Sequence, residues 1–275
     1  MKSIGVMLPS VVAMLEAVED ASSIAHNHNA AFVLLQGPAG SGKTFSAGIL
    51  AQARTTYYLR AHAVLTPRTL LSEWIYAIVG WHPAEKFLSE LHARLVGELR
   101  SSPGAVTIID EADYLALGAH HHLLNIVRDV ADLAGHPIVL ISVTALARRL
   151  AAPTAFTAQI SSRVTSHVSF AAPTAADAEV MGRELLEVTF DRDLITWCFG
   201  HSDASLRGLV RQFEKIETGA VAAGLKGRKL SLRQARSLGL VPEARGVRAV
   251  ETATIAPAAA EIEVAADEER QERAS

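Results

Sequence analysis

Residues 37–44 read GPAGSGKT, the complete pattern G-x-x-x-x-G-K-T. The motif fits only one local architecture: a strand, a tight glycine-rich loop, then a helix. Both flanks comply. Residues 31–36 (AFVLLQ) are a continuous apolar run, and a helical pattern follows from Lys43. A short apolar run without polar alternation predicts a strand buried on both faces, which requires helices on either side. Gly37, Gly40 and Gly42 let the backbone wrap a phosphate with its N–H groups turned inward, and the helix start adds its dipole. Lys43 would reach the β- and γ-phosphates, and the Thr44 hydroxyl would coordinate Mg²⁺, a hard cation that prefers oxygen. Pro38, Ala39, Ser41 and Phe45 complete the expected nucleotide-binding set.

A second apolar run, VTIIDE at 106–111, ends in two acids. Asp110 at the strand tip is expected in the Mg²⁺ shell, and Glu111 is expected to orient or polarise the water that attacks the γ-phosphate. The tetrapeptide Asp110-Glu111-Ala112-Asp113 invites a helicase reading. That superfamily needs two RecA-like lobes, and no room for a second is left after residue 173.

Further strands are expected at 56–61, 137–143 and 166–170, each parted from the next by a stretch of helical length. This alternation predicts a parallel sheet covered on both faces. After Pro173 the pattern changes: 174–188, 191–200 and 205–223 read as helices with no strand between them. In the last, Leu206, Leu209, Val210, Phe213 and Ile216 share one face, with Ser202 and Asp203 as expected caps upstream. The expected division is an α/β core at 1–172 with a short N-terminal helix, a helical lid at 173–242, and a disordered acidic tail at 243–275.

Charge is informative only locally. The whole chain carries −3, which gives no general argument for nucleic-acid binding. Residues 205–236 hold eight Lys or Arg against two Glu, a net +6, which is either a solvated helical face or a surface for phosphate. The tail holds eight acids and four Arg. A single cysteine, Cys198, excludes an intramolecular disulfide framework and a cysteine zinc cage; beside Trp197 and Phe199 it reads as a core thiol. No apolar run is long enough to span a membrane. The stretch Ile4 to Leu15 faintly resembles a signal peptide, but Pro9 interrupts it and Glu16, Glu19 and Asp20 follow, so a cytoplasmic location is expected. Adjacent His120, His121 and His122 point in different directions on a helix and form no metal cage. Trp74 and Trp81 flank an apolar helical stretch and are expected to pack.

An αβα core carrying these two motifs, followed by a small helical segment, resembles the AAA+ ATPase superfamily over roughly residues 30–225. The resemblance implies ATP and Mg²⁺ as cofactors, ATP hydrolysis, and sites completed by assembly. It implies a polar sensor at the end of the strand VLISV, either Ser142 or Thr144. Arg163, before the last strand, looks like the arginine finger that reaches a neighbouring subunit's nucleotide. Arg207, opening a lid helix, is similar to the second sensor arginine, with Arg211 as the alternative.

A narrower resemblance rests on IIDEADYL (108–115), LLNIVRDVADLAGHPIVLIS (123–142) and YYLRAHAVLTPRTLLSEWIYAIVG (57–80). These look like the target-DNA-activating ATPases of transposition, the phage Mu B protein and TnsC-type group. This implies sequence-independent binding of duplex DNA, assembly into a helical filament or ring, and recruitment or stimulation of a transposase. Carried over, Arg60 and Arg68 become DNA-backbone contacts, or else a strand-end and a helix-start charge. The Mu-type protein has an N-terminal helix-turn-helix region, for which about 30 residues before the first core strand leave no room. DNA binding is therefore expected from the ATPase core and its basic lid. Replication-initiator or clamp-loader AAA+ enzymes and a non-assembling nucleotide switch are the alternative readings.

Overall fold

The computed structural model describes residues 5–26, 30–116, 121–143, 145–151 and 155–242. Five strands, β1 (Phe32–Gln36), β2 (Thr56–Arg60), β3 (Val106–Asp110), β4 (Ile138–Ser142) and β5 (Val164–Ser169), form one sheet in the order β2-β3-β4-β1-β5. Every pairing in it is parallel. All five expected strands are present, with boundaries shifted by up to two residues.

The apolar runs fill both faces by simple alternation. Val33 and Leu35 of β1, with Ile108, Val139, Ile141 and Val168, face one side. Phe32 and Leu34, with Leu59, Ile109, Ile138 and Leu140, face the other. The first face is covered by α1 (Pro9–His26) and α2 (Lys43–Ala53) and continues into the later helices. Val6, Leu8, Val11 and Met14, the apolar N-terminal stretch, are buried here.

The second face is covered by α3 (Pro67–Val79), α4 (Leu88–Arg100) and α5 (His121–Ala134), with α6 (Ala145–Ala151) and α7 (Ala155–Ser161) beyond. Thr66 starts α3 with a capping box to Thr69 and Pro67 in the first turn, and Gly80 ends it in a left-handed conformation. Trp74 of α3 is fully buried, and its indole N–H donates to Thr107 Oγ1 at 3.0 Å. Burial of ~150–250 Å² at ~25 cal/mol per Å² is worth on the order of 4–6 kcal/mol. Trp81 departs from expectation: just past the Gly80 cap, it is 61% exposed and packs into no core.

The helical part contains α8 (Ala175–Leu185), α9 (Arg192–Gly200), α10 (Leu206–Ala222) and α11 (Leu232–Ser237). The expectation of no strand here is corrected by a two-stranded parallel patch, β6 (Thr189–Phe190) against β7 (Lys229–Leu230). These two-residue strands are too short to leave a periodic signal. Buried Glu217 fixes the patch by accepting the Glu187 and Val188 N–H groups. The cap of α10 is also corrected. Ser205, not Ser202 or Asp203, accepts the Gly208 N–H. Ser202 closes α9 instead, its hydroxyl donating to Phe199 O, and Asp203 and Ala204 turn the chain at positive φ. Cys198 is buried, and burial pushes its thiol up to about 12, so it is the expected core residue. The acidic segment 243–275, Thr144 and His120 lie outside the described residues; His122 is exposed.

Candidate nucleotide site

Parallel strands end on one edge of the sheet, and the loops there gather the motif residues. The loop 37–42 leaves β1 and enters α2 at Lys43, as the sequence predicted. Two glycines are sterically required. At Gly37 a Cβ would lie 2.1 Å from Phe170 O. Gly40 has φ +77°, and its Cβ would lie 2.9 Å from Ser205 Cβ at the head of α10. The Leu206 N–H donates to Gly40 O at 2.9 Å, so the helical segment is pinned directly onto the loop.

Lys43 is buried, and its Nζ donates to Gly37 O at 2.7 Å and Pro38 O at 2.8 Å. Burial lowers its pKa, while Asp110, Asp113 and Glu111 oppose the shift. Across 66 residues of sequence, the Thr44 hydroxyl donates to Asp110 Oδ2 at 2.8 Å. Asp110 Oδ1 accepts the Glu111 N–H at 2.8 Å. Glu111 itself sits at φ 56°, ψ 34°, a left-handed conformation disfavoured outside glycine, which turns the chain sharply at the strand tip. A hydroxyl beside a carboxylate is the hard-oxygen donor pair that suits Mg²⁺ when phosphates supply further ligands. The residues present therefore fit the cation.

The cleft measures about 690 Å³. Gly40 to Phe45 form its floor, and Arg207, Arg211 and Glu214 of α10 form one wall. Val6, Leu8, Met181 and Leu185 give it an apolar end, a contribution of the N-terminal segment and α8 that the motif did not announce. Both arginines proposed for the second sensor position thus face the cleft.

The other expected residues are distributed as follows. Ser142 ends β4 beside the loop, but it is 1% exposed and its hydroxyl donates to Asp113 Oδ1 at 2.8 Å. Asp113 also accepts the Val143 and Leu146 N–H groups, each at 2.8 Å. It is the third acid of the Asp-Glu-Ala-Asp run, and it ties the β3 tip to the end of β4. Arg60 ends the edge strand β2, 71% exposed, with its guanidinium 3.4 Å from Glu111 Oε1. Arg68 donates to Lys86 O at 2.6 Å and Glu85 O at 2.7 Å, so its guanidinium holds the α3–α4 loop. Arg163 lies at the far end of the sheet from its own loop, its carbonyl accepting the Phe32 N–H. There Asp132 binds it through Nε at 2.8 and 2.9 Å and through a terminal nitrogen at 2.7 Å.

Tyr58 escaped the sequence reading. The alternation of β2 buries Tyr57 and leaves Tyr58 on the opposite side, where its hydroxyl donates to Asp110 Oδ2 at 2.7 Å. That alternation was the available signal.

Residues 26–150 match the family described as AAA domain. No curated protein matches the chain. Among solved structures, the Thermotoga maritima RuvB Holliday junction branch migration motor is similar at TM-score 0.53 and 17% identity, with 86% of this chain and 68% of that one covered. The Aeropyrum pernix ORC2 protein is similar at TM-score 0.61 and 15% identity, covering 86% and 70%. Drosophila ORC, in a structure bound to DNA, is similar at TM-score 0.55 and 14% identity, covering 84% and 62%. At these identities the likeness concerns the fold. The loop, the acidic strand tip and the sheet order β2-β3-β4-β1-β5 accompany the match of residues 26–150 to an AAA domain, and the fold is that of a P-loop α/β protein.

Proposed function

We propose that this protein is an ATP-hydrolysing AAA+ regulator of DNA transposition, which assembles on duplex DNA, recruits or stimulates a transposase, and disassembles on hydrolysis. The observation that carries the ATPase reading is the Thr44–Asp110 bond with Glu111 on the same strand tip, under a helix pinned to Gly40. In this reading the loop N–H groups and Lys43 bind the phosphates, Thr44 and Asp110 hold Mg²⁺, and Arg207 or Arg211 approaches the phosphates from the wall. Bound Mg²⁺ supplies charge neutralisation on the phosphate oxygens. Glu111 orients the attacking water and accepts its proton.

Assembly is supported by the place of Arg163. It stands at the opposite end of the sheet from its own loop, so in this reading it leaves Asp132 and serves a nucleotide in a neighbouring copy. DNA binding is supported by the exposed Arg60 and by the basic surface of 205–236, where Arg211, Lys215, Arg228, Lys229 and Arg233 are exposed. Of the two proposed DNA contacts, Arg60 is the stronger, because Arg68 already serves two carbonyls. The transposition role is supported by the sequence resemblance at 57–80, 108–115 and 123–142. A ring-forming initiator-like enzyme is the second reading, favoured by the fold shared with ORC2 and RuvB.

The test is ATP turnover with and without duplex DNA, with electron microscopy of the same samples. Filaments on DNA with DNA-dependent turnover are expected; closed rings support the second reading. Lys43→Ala should weaken ATP binding by about 10- to 100-fold, the value of a charge-assisted contact. Glu111→Gln should keep binding and slow turnover by ~10²–10⁴-fold. Monomers that turn over ATP at the full rate, indifferent to DNA, would refute the proposal. Partial recovery of turnover on mixing Arg163→Ala with Glu111→Gln subunits is the expected sign of a shared site.

A further inference from the structure

We infer that Tyr58 is a positioning residue for the cation side of the cleft, its phenol fixing the carboxylate of Asp110 from the edge strand. The inference rests on the reading of the cleft as a Mg²⁺-nucleotide site and adds to it a residue outside both motifs.

The argument begins with what Asp110 already does. Its Oδ1 accepts the Glu111 N–H, and its Oδ2 accepts two hydroxyls, Thr44 at 2.8 Å and Tyr58 at 2.7 Å. A carboxylate oxygen has about two acceptor directions, so Oδ2 is filled. The two hydroxyl donors differ in permanence. Thr44 belongs to the phosphate loop, and its oxygen is the one a hard cation would take as a ligand. Tyr58 belongs to the sheet and is held by the β2–β3 ladder whatever the loop binds. When Thr44 turns to a cation, the phenol is the side-chain donor that still fixes Oδ2.

The choice of residue has a geometric reason. Tyr58 pairs with Ile108, two residues short of Asp110 along β3. At ~3.3 Å per residue the acceptor lies ~7 Å farther along the strand, and only a long side chain covers that distance. The ring gains little from burial, because Tyr58 is 45% exposed. Burial of the hydroxyl and its bond to Asp110 raise the phenol's pKa further above its ordinary value. At neutral pH a phenol of ordinary pKa, ~10, is already a neutral donor. Its neighbour on the same face of β2, Arg60, reaches Glu111. Both acids of the strand tip are thus approached from one exposed edge.

Tyr58→Phe removes the hydroxyl and keeps the ring. The probe is a fluorescent ATP analogue, titrated in excess EDTA and at rising Mg²⁺, with Tyr76→Phe, an exposed tyrosine of α3 on the other face of the sheet, as a control. Affinity in EDTA is expected to be unchanged. The Mg²⁺ concentration that half-maximally enhances binding is expected to rise about five- to tenfold, the effect of one hydrogen bond to a charged acceptor. The thermal midpoint of the metal-free protein tests folding of each variant. An unchanged Mg²⁺ requirement in folded Tyr58→Phe overturns the inference while leaving the nucleotide site intact. Equal weakening with and without Mg²⁺ also overturns it, because that is the signature of a general structural role. A wild-type protein whose nucleotide binding ignores Mg²⁺ overturns the cation reading of the cleft, and this inference with it.

Discussion

Acidification should destabilise this protein well before its carboxylates titrate, through His136. This residue is 3% exposed two residues before β4, against Tyr57, whose ring stacks on it at 6.3 Å. Thr107 Oγ1 accepts the Trp74 indole N–H at 3.0 Å and lies 3.0 Å from His136 Nε2. The Thr107 hydroxyl can serve a neutral His136 ring in either tautomer, as donor to Nε2 or as acceptor from it. What opposes protonation is the burial of the ring, which takes the charged imidazolium out of water. Burial lowers the His136 pKa to about 4. The sign follows from proton counting. Between the unfolded value of ~6.5 and the folded value of ~4, the unfolded chain binds the extra proton, so stability falls as pH falls through this window and the loss levels off below it. The loss attributable to His136 is about 2 kcal/mol at pH ~5 and about 3 kcal/mol in total. Urea unfolding of wild type and His136→Gln at pH ~7.5 and ~5.0 isolates it, since the other groups titrate alike in both. Wild type should lose about 2 kcal/mol more than the variant over that interval. Equal losses would refute the buried neutral imidazole.

Three further outcomes are expected. Arg60→Ala removes an exposed ion pair of at most ~1 kcal/mol, so DNA-free turnover should rise by no more than about fivefold while stimulation by duplex DNA falls; steady-state ATPase rates with and without DNA check both. Asp113→Asn keeps the shape but cannot accept the Ser142, Val143 and Leu146 donors together, and should cost about 2 kcal/mol in urea unfolding. Gly40→Ala places a Cβ at positive φ against Ser205, so nucleotide affinity should fall by about tenfold, the equivalent of ~1.4 kcal/mol, as read by isothermal titration.

Sequence alone determined the strand–loop–helix at 32–53, the acidic end of β3 and the parallel α/β class. Each is encoded locally, by an unbroken apolar run followed by glycines or acids whose chemistry admits few alternatives. It also located α8, α9 and α10, long enough to show an apolar face at the helical period, but not the six-residue α11. What lay beyond reach depends on partners distant in the chain. Nothing near Trp81 says that Gly80 ends α3 and leaves the indole in solvent, while Trp74, within α3 itself, meets Thr107. Nothing around Ser202 says that its hydroxyl would close α9 and pass the capping role to Ser205. The same holds at the site. The motifs name Thr44 and Asp110 separately, but the sheet order puts β3 near β1 and β2 at the edge beside it. Only that order brings Tyr58 to Asp110, Arg60 to Glu111 and Asp113 to Ser142, and only the docking of α10 on Gly40 closes the cleft. Local pattern decides which residues are chemically competent; long-range strand pairing and helix docking, which no short window encodes, decide which of them meet.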